Sequence, residues 1–299
     1  MGSLRARAPY YGYRVAAVLA NALPGPVASV LARAVGALLP YALPSRRAML
    51  ARHLRRTTGR DLRGLALEWQ LQRALGSYAR YWMESFRLAR TTPAQLEGGM
   101  SWEGLGHFEE AKSRGHGVIM AMPHLGGWDF GGAWLASVGH PATVVVESLE
   151  PPELFEWFAG LRRSLGLTVV PHGPGAGAEV LRALRANQLV GLVCDRDLDG
   201  TGVEVELFGE RTTVPAGPAT LALRTGAALL PTAVYFEGRG HRGVVRPPVL
   251  AERQGRFGDD VRRVTQSLAY ELEAMIRLAP EQWHVLQPNW PSDREASRL

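Results

Sequence analysis

From Ser101 onward, short apolar runs alternate with segments of helical periodicity, and this alternation constrains the fold more than any other feature of the chain. The runs have the length of buried strands and are too short for helices. Strands are predicted at 118–122, 143–147, 168–170, 190–194, 203–208, 229–236 and 243–246. Helices are predicted at 130–137, 153–165, 178–187, 216–225 and 259–279. This order predicts an α/β fold with a mainly parallel central sheet and helices on both faces.

Residues 1–44 are predicted to add an N-terminal helical layer. They contain two apolar runs, 15–23 and 27–39, which are separated by Pro24 and Pro26. Neither run reaches the roughly 20 residues that span a bilayer. The basic residues before the first run resemble a signal peptide, but cleavage after that run would leave a second apolar helix. Contact with a membrane surface and packing inside the protein both fit two short apolar helices.

The next segments are predicted to be helical as well. Residues 45–60 are rich in arginine, and they could face lipid headgroups or form the solvated side of a helix. Residues 61–90 form a long amphipathic pattern that predicts a packed helix. Its large side chains recur at helical spacing, at Leu71, Leu75, Tyr78, Trp82 and Phe86.

The charge of the chain points to anionic partners. The formal net charge is +6, and Lys112 is the only lysine, so nearly all basic side chains are arginines. Arginine binds phosphates with two hydrogen bonds, which suits anionic lipid headgroups and phosphorylated substrates. No nucleic-acid-binding motif is present, so nucleic acid is not an expected partner. Cys194 is the only cysteine, which excludes a disulfide within the chain.

The stretch 117–137 is the strongest candidate for a functional site. An apolar strand at 118–122 ends at Pro123, because proline cannot donate to a sheet ladder. His124 follows at the carboxyl end of the strand, where open α/β sheets bind their ligands. Gly126 and Gly127 form a loop whose amides could contact a substrate, and Asp129 follows at the expected start of a helix. A histidine with a nearby carboxylate suits a general base and the group that orients it, although Asp129 alone would also be an ordinary helix cap.

Other polar residues come to the same edge of the predicted sheet. Glu147 ends the second strand and Asp195 ends the strand at 190–194, with Arg196 directly after it. Arg162 lies on the helix that follows Glu147. Because the carboxyl ends of parallel strands share one edge, we expect these side chains to surround His124.

Several common sites are missing from the sequence. The glycine-rich loop 172–177 lacks the Lys-Ser/Thr of a P-loop, no GxGxxG opens a strand–helix turn, and no G-x-S-x-G nucleophile elbow is present. Metal-ligand spacing is missing too. These observations predict histidine-based chemistry without a metal, a resident cofactor or a covalent enzyme intermediate.

The spacing His124-x-x-x-x-Asp129 resembles the H-x4-D motif of the glycerolipid acyltransferase superfamily, whose lipid A relatives carry H-x4-E. A set of longer segments resembles, more narrowly, the actinobacterial phosphatidylinositol mannoside acyltransferases. The similarity runs from about residue 77 to residue 290. The matching segments are MPHLGGWD, VVVESLEPPELFEWF, LRRSLGLTVVP, CDRDLDGTGVEVELFGE, PAGPATLALRTGAALLP, YFEGRG and EQWHVLQPNW.

The resemblance implies transfer of an acyl chain, typically palmitoyl, from the substrate acyl-CoA to a mannose hydroxyl of a phosphatidylinositol mannoside. It implies that His124 is the general base, that Asp129 orients it, and that a further carboxylate lies nearby. That carboxylate maps to Asp195, where the family pattern carries glutamate. Because aspartate is one methylene shorter, either the backbone lies closer to His124 or a water bridges the two side chains.

The remaining implied site residues bind substrate: Glu147, Arg162 and Arg196, together with Gly126 and Gly127, whose amides could stabilise the thioester oxyanion. The resemblance further implies a single acyltransferase domain over 1–299, with its catalytic α/β core at 101–290 and a peripheral location on the cytoplasmic face of the plasma membrane. Three alternatives stay open: a lysophospholipid or lipid A-type acyltransferase, an acyl-CoA thioesterase, and a non-catalytic peripheral membrane protein. The sequence carries no signal for an oligomeric state.

Overall fold

The computed structural model describes residues 4–42 and 44–296, so residues 1–3 and 43 of the predicted N-terminal layer lie outside the described residues. Four helices come first in the chain: α1 (Leu4–Ala22), α2 (Gly25–Ala42), α3 (Pro44–Thr58) and α4 (Gly64–Leu88). The two predicted apolar helices are therefore confirmed as α1 and α2, and Pro24 lies between them. Among the described residues, no helix combines the length and the apolar character needed to cross a membrane.

Helix α2 packs closely on α4. The contact is made at Gly36, where an added Cβ would lie only 2.7 Å from the carbonyl oxygen of Leu75. Only glycine permits this approach of two helix backbones. On α4 itself, Leu71, Leu75 and Phe86 of the predicted row are buried, as expected for a packed amphipathic helix.

The arginine-rich segment forms α3, and its side chains bind other parts of the protein. Each of its five arginines donates to a carboxylate or a backbone carbonyl. The partners are Leu286 for Arg46, Glu68 for Arg47, Asp293 for Arg52, Leu62 for Arg55 and Glu210 for Arg56. These arginines therefore hold α3 against neighbouring segments, although Arg46 is also exposed, as expected for the solvated side of a helix.

A buried ion pair joins α3 to the C-terminal segment. His53 Nε2 lies 3.1 Å from Asp293 Oδ2, and His53 Nδ1 lies 3.0 Å from the carbonyl oxygen of Val285. Burial would raise the pKa of Asp293, but hydrogen bonding and the charge of His53 lower it below its usual range. The carboxylate therefore stays charged and fixes the segment that precedes α12 (Pro291–Ala296).

The central sheet has seven strands, and most of them are parallel, as predicted. Their order is β1-β9-β8-β2-β5-β3-β4, and within it only β8 and β9 pair antiparallel. The strands are β1 (Met100–Glu103), β2 (Val118–Met122), β3 (Ala142–Val146), β4 (Thr168–Pro171), β5 (Leu189–Val193), β8 (Ala228–Glu237) and β9 (Gly240–Val245). Strand β2 lies in the middle of this order, next to β5.

The strand predicted at 203–208 is not part of this sheet. It forms β6 (Val203–Leu207), which pairs antiparallel with β7 (Glu210–Val214) in a separate hairpin. Phe208 and Gly209 connect the two strands with φ values of 54° and 76°. Two positive φ angles give the turn geometry that matches the twist of a tight hairpin. The chain therefore reverses direction after β6, and β7 pairs with β6.

Helices cover both faces of the sheet, as predicted. On one face Ile119 and Ala121 join the core formed with α9, α10 and α11, and on the other Val118 and Met120 pack with α6 and α7. Alternate residues of β2 thus point to opposite faces, the arrangement of a strand buried on both sides. The remaining helices are α5 (Pro93–Gly98), α6 (Leu105–Ser113), α7 (Trp128–Ser137), α8 (Pro152–Ser164), α9 (Ala176–Arg185), α10 (Gly217–Thr225) and α11 (Phe257–Leu278), and a 3-10 turn covers Pro280–Gln282.

Candidate active site

His124 lies in the loop between β2 and α7, at the carboxyl edge of the sheet. A short segment after the 3-10 turn holds this loop by backbone hydrogen bonds. The amide of His284 donates to the carbonyl oxygen of His124 at 2.8 Å, and the amide of Gly126 donates to that of Gln282 at 2.9 Å. Gly126 has a φ of 60°, and a Cβ there would lie 2.1 Å from the oxygen of Val234, so only glycine fits this turn.

Asp195 is the carboxylate that contacts the His124 ring. It follows β5, the neighbour of β2, and its Oδ1 lies 2.6 Å from His124 Nδ1. Its other oxygen accepts from the backbone amide of His124 at 2.9 Å and from Trp283 Nε1 at 2.6 Å. Of the two options that the shorter side chain left open, direct contact is the one observed, because the ends of adjacent strands already lie close together.

The charge of Asp195 is well compensated. Its side chain is fully buried, and burial alone would raise the pKa of Asp195, but the His124 ring and the hydrogen bonds from His124 and Trp283 lower it below its usual value. The carboxylate therefore stays ionised and accepts a hydrogen bond from the N–H at Nδ1 of His124. In the neutral ring this leaves Nε2 with a free electron pair, which is what a general base needs.

Asp129 holds a different set of partners. It lies in the first turn of α7 and is mostly buried. Arg162 donates to both carboxylate oxygens at 3.0 Å, and the Tyr81 hydroxyl donates to Oδ2 at 2.9 Å. Asp129 therefore does not contact the His124 ring, and its predicted role in orienting that ring stays a prediction. The tight turn at Gly126 and the first turn of α7 direct Asp129 toward α4 and α8, and Asp195 occupies the position beside the ring.

The amides of Gly126 and Gly127 are already used within the protein. Gly126 N donates to Gln282 O, and Gly127 N donates to Val234 O at 2.8 Å. The prediction that these amides are open to a substrate oxyanion is wrong, because each has a backbone acceptor. The two glycines instead let the His124 loop lie against β8 and the C-terminal segment.

Glu147 and Arg196 form the other ion pair at this edge. Arg196 Nη2 lies 2.6 Å from Glu147 Oε2. The arginine side chain is 14% exposed, whereas that of Glu147 is 49% exposed. The buried Nε atom of Arg196 has no hydrogen-bond acceptor among the described residues. The pair therefore offers a cationic group with an unused donor beside the predicted base.

A cavity of about 660 Å³ connects these side chains. Its polar lining includes His124, Asp129, Arg162, Glu147 and Arg196. Its apolar lining comes largely from the face of the sheet that packs with α7, and it includes Met120, Leu135, Val144, Leu167, Leu189 and Gly191. The structure thus brings five of the six predicted polar site residues to one cavity, and the sixth, Asp195, is fully buried behind His124 and does not line it.

Sequence reasoning misses three side chains that build this site: Tyr81, Trp283 and His284. Tyr81 and His284 line the cavity, and burial raises the pKa of Tyr81 well above its usual value, with the charge of Asp129 acting in the same direction. Burial also lowers the pKa of His284 to about 3, so this ring is neutral near neutral pH. The available signal for two of them is the segment EQWHVLQPNW, which places polar aromatic residues in a stretch without helical or strand periodicity.

A histidine–carboxylate pair at the edge of a parallel sheet, next to a largely apolar cavity, fits an enzyme that transfers acyl groups. The family described as bacterial lipid A biosynthesis acyltransferase matches residues 3–292 of the chain. The chain belongs to this family and is an acyltransferase.

Two individual relatives of the chain carry a more specific name than the family does. The chain is 44% identical over 232 residues to a phosphatidylinositol mannoside acyltransferase of Mycobacterium tuberculosis, a match that covers 75% of this chain and 71% of the relative. It is 41% identical over 231 residues to a phosphatidylinositol mannoside acyltransferase of Mycolicibacterium smegmatis, covering 76% and 74%. These matches confirm the resemblance that the sequence motifs indicate.

Proposed function

We propose that this acyltransferase moves a long acyl chain from acyl-CoA to a mannose hydroxyl of a phosphatidylinositol mannoside. The observation that carries the proposal is the 2.6 Å contact between His124 and Asp195 at the edge of the apolar cavity. The names of the two relatives support the choice of acceptor. The cavity supports the choice of a fatty acyl group, since burial of its methylenes is favourable by about 0.8 kcal/mol each.

In the proposed reaction, His124 Nε2 takes the proton of the sugar hydroxyl. The hydroxyl oxygen attacks the thioester carbonyl carbon, the carbon–sulfur bond then breaks, and His124 returns its proton to the departing thiolate. Asp195 stays ionised throughout and stabilises the imidazolium that forms between the two proton transfers. His284 lies nearby but is neutral, so it adds no positive charge that would oppose this intermediate state.

In this proposal the acceptor lipid binds to the polar side chains that line the cavity. Arg162 and Arg196 supply donors for sugar oxygens or for a phosphodiester, and the carboxylates of Asp129 and Glu147 keep these two cations in position. Aromatic rings complete the wall, and Trp128 stacks on Tyr81 with 4.1 Å between ring centroids. A flat apolar surface with polar groups at its border suits a sugar ring.

The proposal is tested with radiolabelled palmitoyl-CoA and a panel of acceptors. Mannosylated phosphatidylinositol should be acylated, whereas unmannosylated phosphatidylinositol should not. Acylation of a lysophospholipid or a lipid A precursor in its place would select the alternative acceptors. Cleavage of palmitoyl-CoA at the same rate with and without an acceptor would identify a thioesterase.

The Asp195 carboxylate should shape the pH dependence of the reaction. An ionised carboxylate favours the protonated ring of His124, so its replacement in Asp195→Asn makes the ring lose its proton at lower pH. We expect the acidic limb of the kcat/KM profile to move down by about one pH unit or more. Asp259→Asn, on the exposed first turn of α11, serves as the control and should keep the wild-type profile. An unmoved limb in Asp195→Asn would contradict the proposed role.

We further propose that α1 and α2 contact the anionic cytoplasmic face of the plasma membrane. Each helix exposes one row of apolar side chains at helical spacing. The rows are Tyr11, Val15, Val18 and Leu19 on α1, and Val27, Val30, Leu31 and Val35 on α2. Exposed apolar rows of this size favour an interfacial location, and the net charge of +6 favours anionic lipids.

The membrane proposal predicts that two charges on the α1 row weaken vesicle binding. Val15 and Val18 are 59% and 63% exposed, and the matched control residues Tyr270 and Leu278 on α11 are 53% and 66% exposed. Flotation with phosphatidylserine-containing vesicles should fall at least about tenfold in Val15→Asp/Val18→Asp. It should stay at the wild-type level in Tyr270→Asp/Leu278→Asp. Equal binding by both double variants, or binding that is unchanged after deletion of residues 1–44, would show that these helices are not the anchor.

A further inference from the structure

Trp283 contacts the predicted catalytic pair of His124 and Asp195 but does not line the cavity. It follows the 3-10 turn, and its side chain is 2% exposed. Its indole N–H donates to Asp195 Oδ2 at 2.6 Å, and Oδ1 of the same carboxylate faces His124. Two hydrogen bonds, with the Asp195 carboxylate between them, thus connect the indole to the ring of the predicted base.

The segment that carries Trp283 holds both members of the pair. Gln282 and His284, on either side of Trp283, bind the backbone of the His124 loop, and Leu125 pairs antiparallel with Trp283. Trp283 itself binds the carboxylate of Asp195. One short segment therefore sets where the ring lies and how the carboxylate is turned.

We propose that Trp283 is a positioning residue, which fixes the rotation of the Asp195 carboxylate so that one oxygen stays aligned with His124 Nδ1. Rotation about the last torsion of aspartate is only weakly restricted by its own chemistry. In the structure Oδ2 has two donors, the His124 amide and the Trp283 indole, and they hold it from two directions. The proposal rests on the proposed function, because it assumes that His124 acts as the base.

The chain offers a matched control in Trp290. This indole is also fully buried and packs near Trp283, with 6.0 Å between ring centroids. Its N–H donates to the carbonyl oxygen of Leu207 at 3.3 Å and does not serve Asp195. Trp283→Phe and Trp290→Phe therefore remove the same kind of group from the same cluster, but only the first removes a donor from the catalytic carboxylate.

The two variants should differ in rate. A hydrogen bond to a charged group contributes about 1.5 to 3 kcal/mol, which corresponds to a roughly 10- to 100-fold change in rate. We expect Trp283→Phe to lower kcat by at least about tenfold and Trp290→Phe to keep kcat near the wild-type value. Thermal unfolding of both proteins measures the packing loss that they share, so that it can be separated from the loss in rate.

The pH profile separates positioning from packing. Without the indole N–H, the negative charge of Asp195 is less compensated and holds the protonated ring of His124 more strongly. The acidic limb of kcat/KM should therefore move to higher pH in Trp283→Phe, opposite to the shift expected for Asp195→Asn. The other titratable groups near the pair are His284, Cys194, the ion pairs of Asp129 and Glu147, and the His53–Asp293 pair. The His53 ring packs on both Trp283 and Trp290, so the two variants disturb it alike.

A double-mutant cycle measures whether Trp283 acts through Asp195. If Trp283 acts through Asp195, adding Trp283→Phe to Asp195→Asn should change kcat and the pH profile little. Additive losses in the double variant, or the same profile for Trp283→Phe and Trp290→Phe, would overturn the proposal.

A measurement without activity covers the case in which Trp283→Phe does not fold. In full-length protein labelled with nitrogen-15 tryptophan, Asp195→Asn should displace the indole proton signal of one of the eight tryptophans. Eight unmoved signals would overturn the proposal. Failure of the wild-type protein to transfer palmitoyl to any acceptor would instead count against the proposed function, and the indole signal would still report the contact.

Discussion

His124→Ala should lower kcat/KM for acyl transfer by about 10²- to 10⁴-fold, the range expected for loss of a general base. The protein should remain folded, because the ring is 28% exposed and its backbone contacts do not depend on the side chain. Transfer from radiolabelled palmitoyl-CoA gives the rate, and circular dichroism reports the fold.

His116→Ala is the matched control for this variant. His116 lies exposed in the loop before β2, away from the cavity lining, and its removal should leave turnover unchanged. Near-normal turnover by His124→Ala would remove His124 from the mechanism and would leave its contact with Asp195 without a catalytic explanation.

Asp129→Asn should act mainly on stability. The side chains of Asp129 and Arg162 are only 11% and 18% exposed, so the variant leaves a largely buried guanidinium without its counterion. Removal of one partner of a buried pair costs about 3 to 5 kcal/mol, and we expect a loss near the lower end because Asn can still accept from Tyr81. Thermal or urea unfolding measures this loss.

The pair between the half-exposed Glu147 and Arg196 is the stability control for that experiment. Glu147→Gln should lower the free energy of unfolding by less than about 1 kcal/mol, because water screens an exposed carboxylate. Wild-type stability in Asp129→Asn together with a large loss of specific activity would return Asp129 to a direct catalytic role.

Local patterns predicted the core of the fold. The run at 118–122 is β2 residue for residue, and the predicted helix at 130–137 lies inside α7 (Trp128–Ser137). Strands β1 and β7 were beyond the reach of the same reasoning, since their sequences MSWE and ERTTV mix polar and apolar residues without a buried run. The hairpin of β6 and β7 depends on the turn at Phe208–Gly209, and a phenylalanine with positive φ gives no turn signal in the sequence.

Closeness in sequence did not predict which carboxylate contacts His124. Asp129 is five residues from His124 and matches a known motif, yet its carboxylate serves Arg162 and Tyr81. Asp195 is 71 residues away, yet it contacts the ring because β2 and β5 are neighbours in the sheet. The strand ends predicted which residues would meet at the edge, but which carboxylate reaches the histidine depends on strand order and on the turn into α7.

The contacts of His124 and of the C-terminal segment also join distant parts of the chain. The separation is 71 residues between His124 and Asp195, 88 between Asp195 and Trp283, and 240 between His53 and Asp293. Contacts across long loops form late in folding, because much of the chain must be ordered before they are made. A chain still emerging from the ribosome therefore carries His124 without its carboxylate partner. The proposed base therefore meets its carboxylate only after the sheet and the segment around Trp283 have assembled.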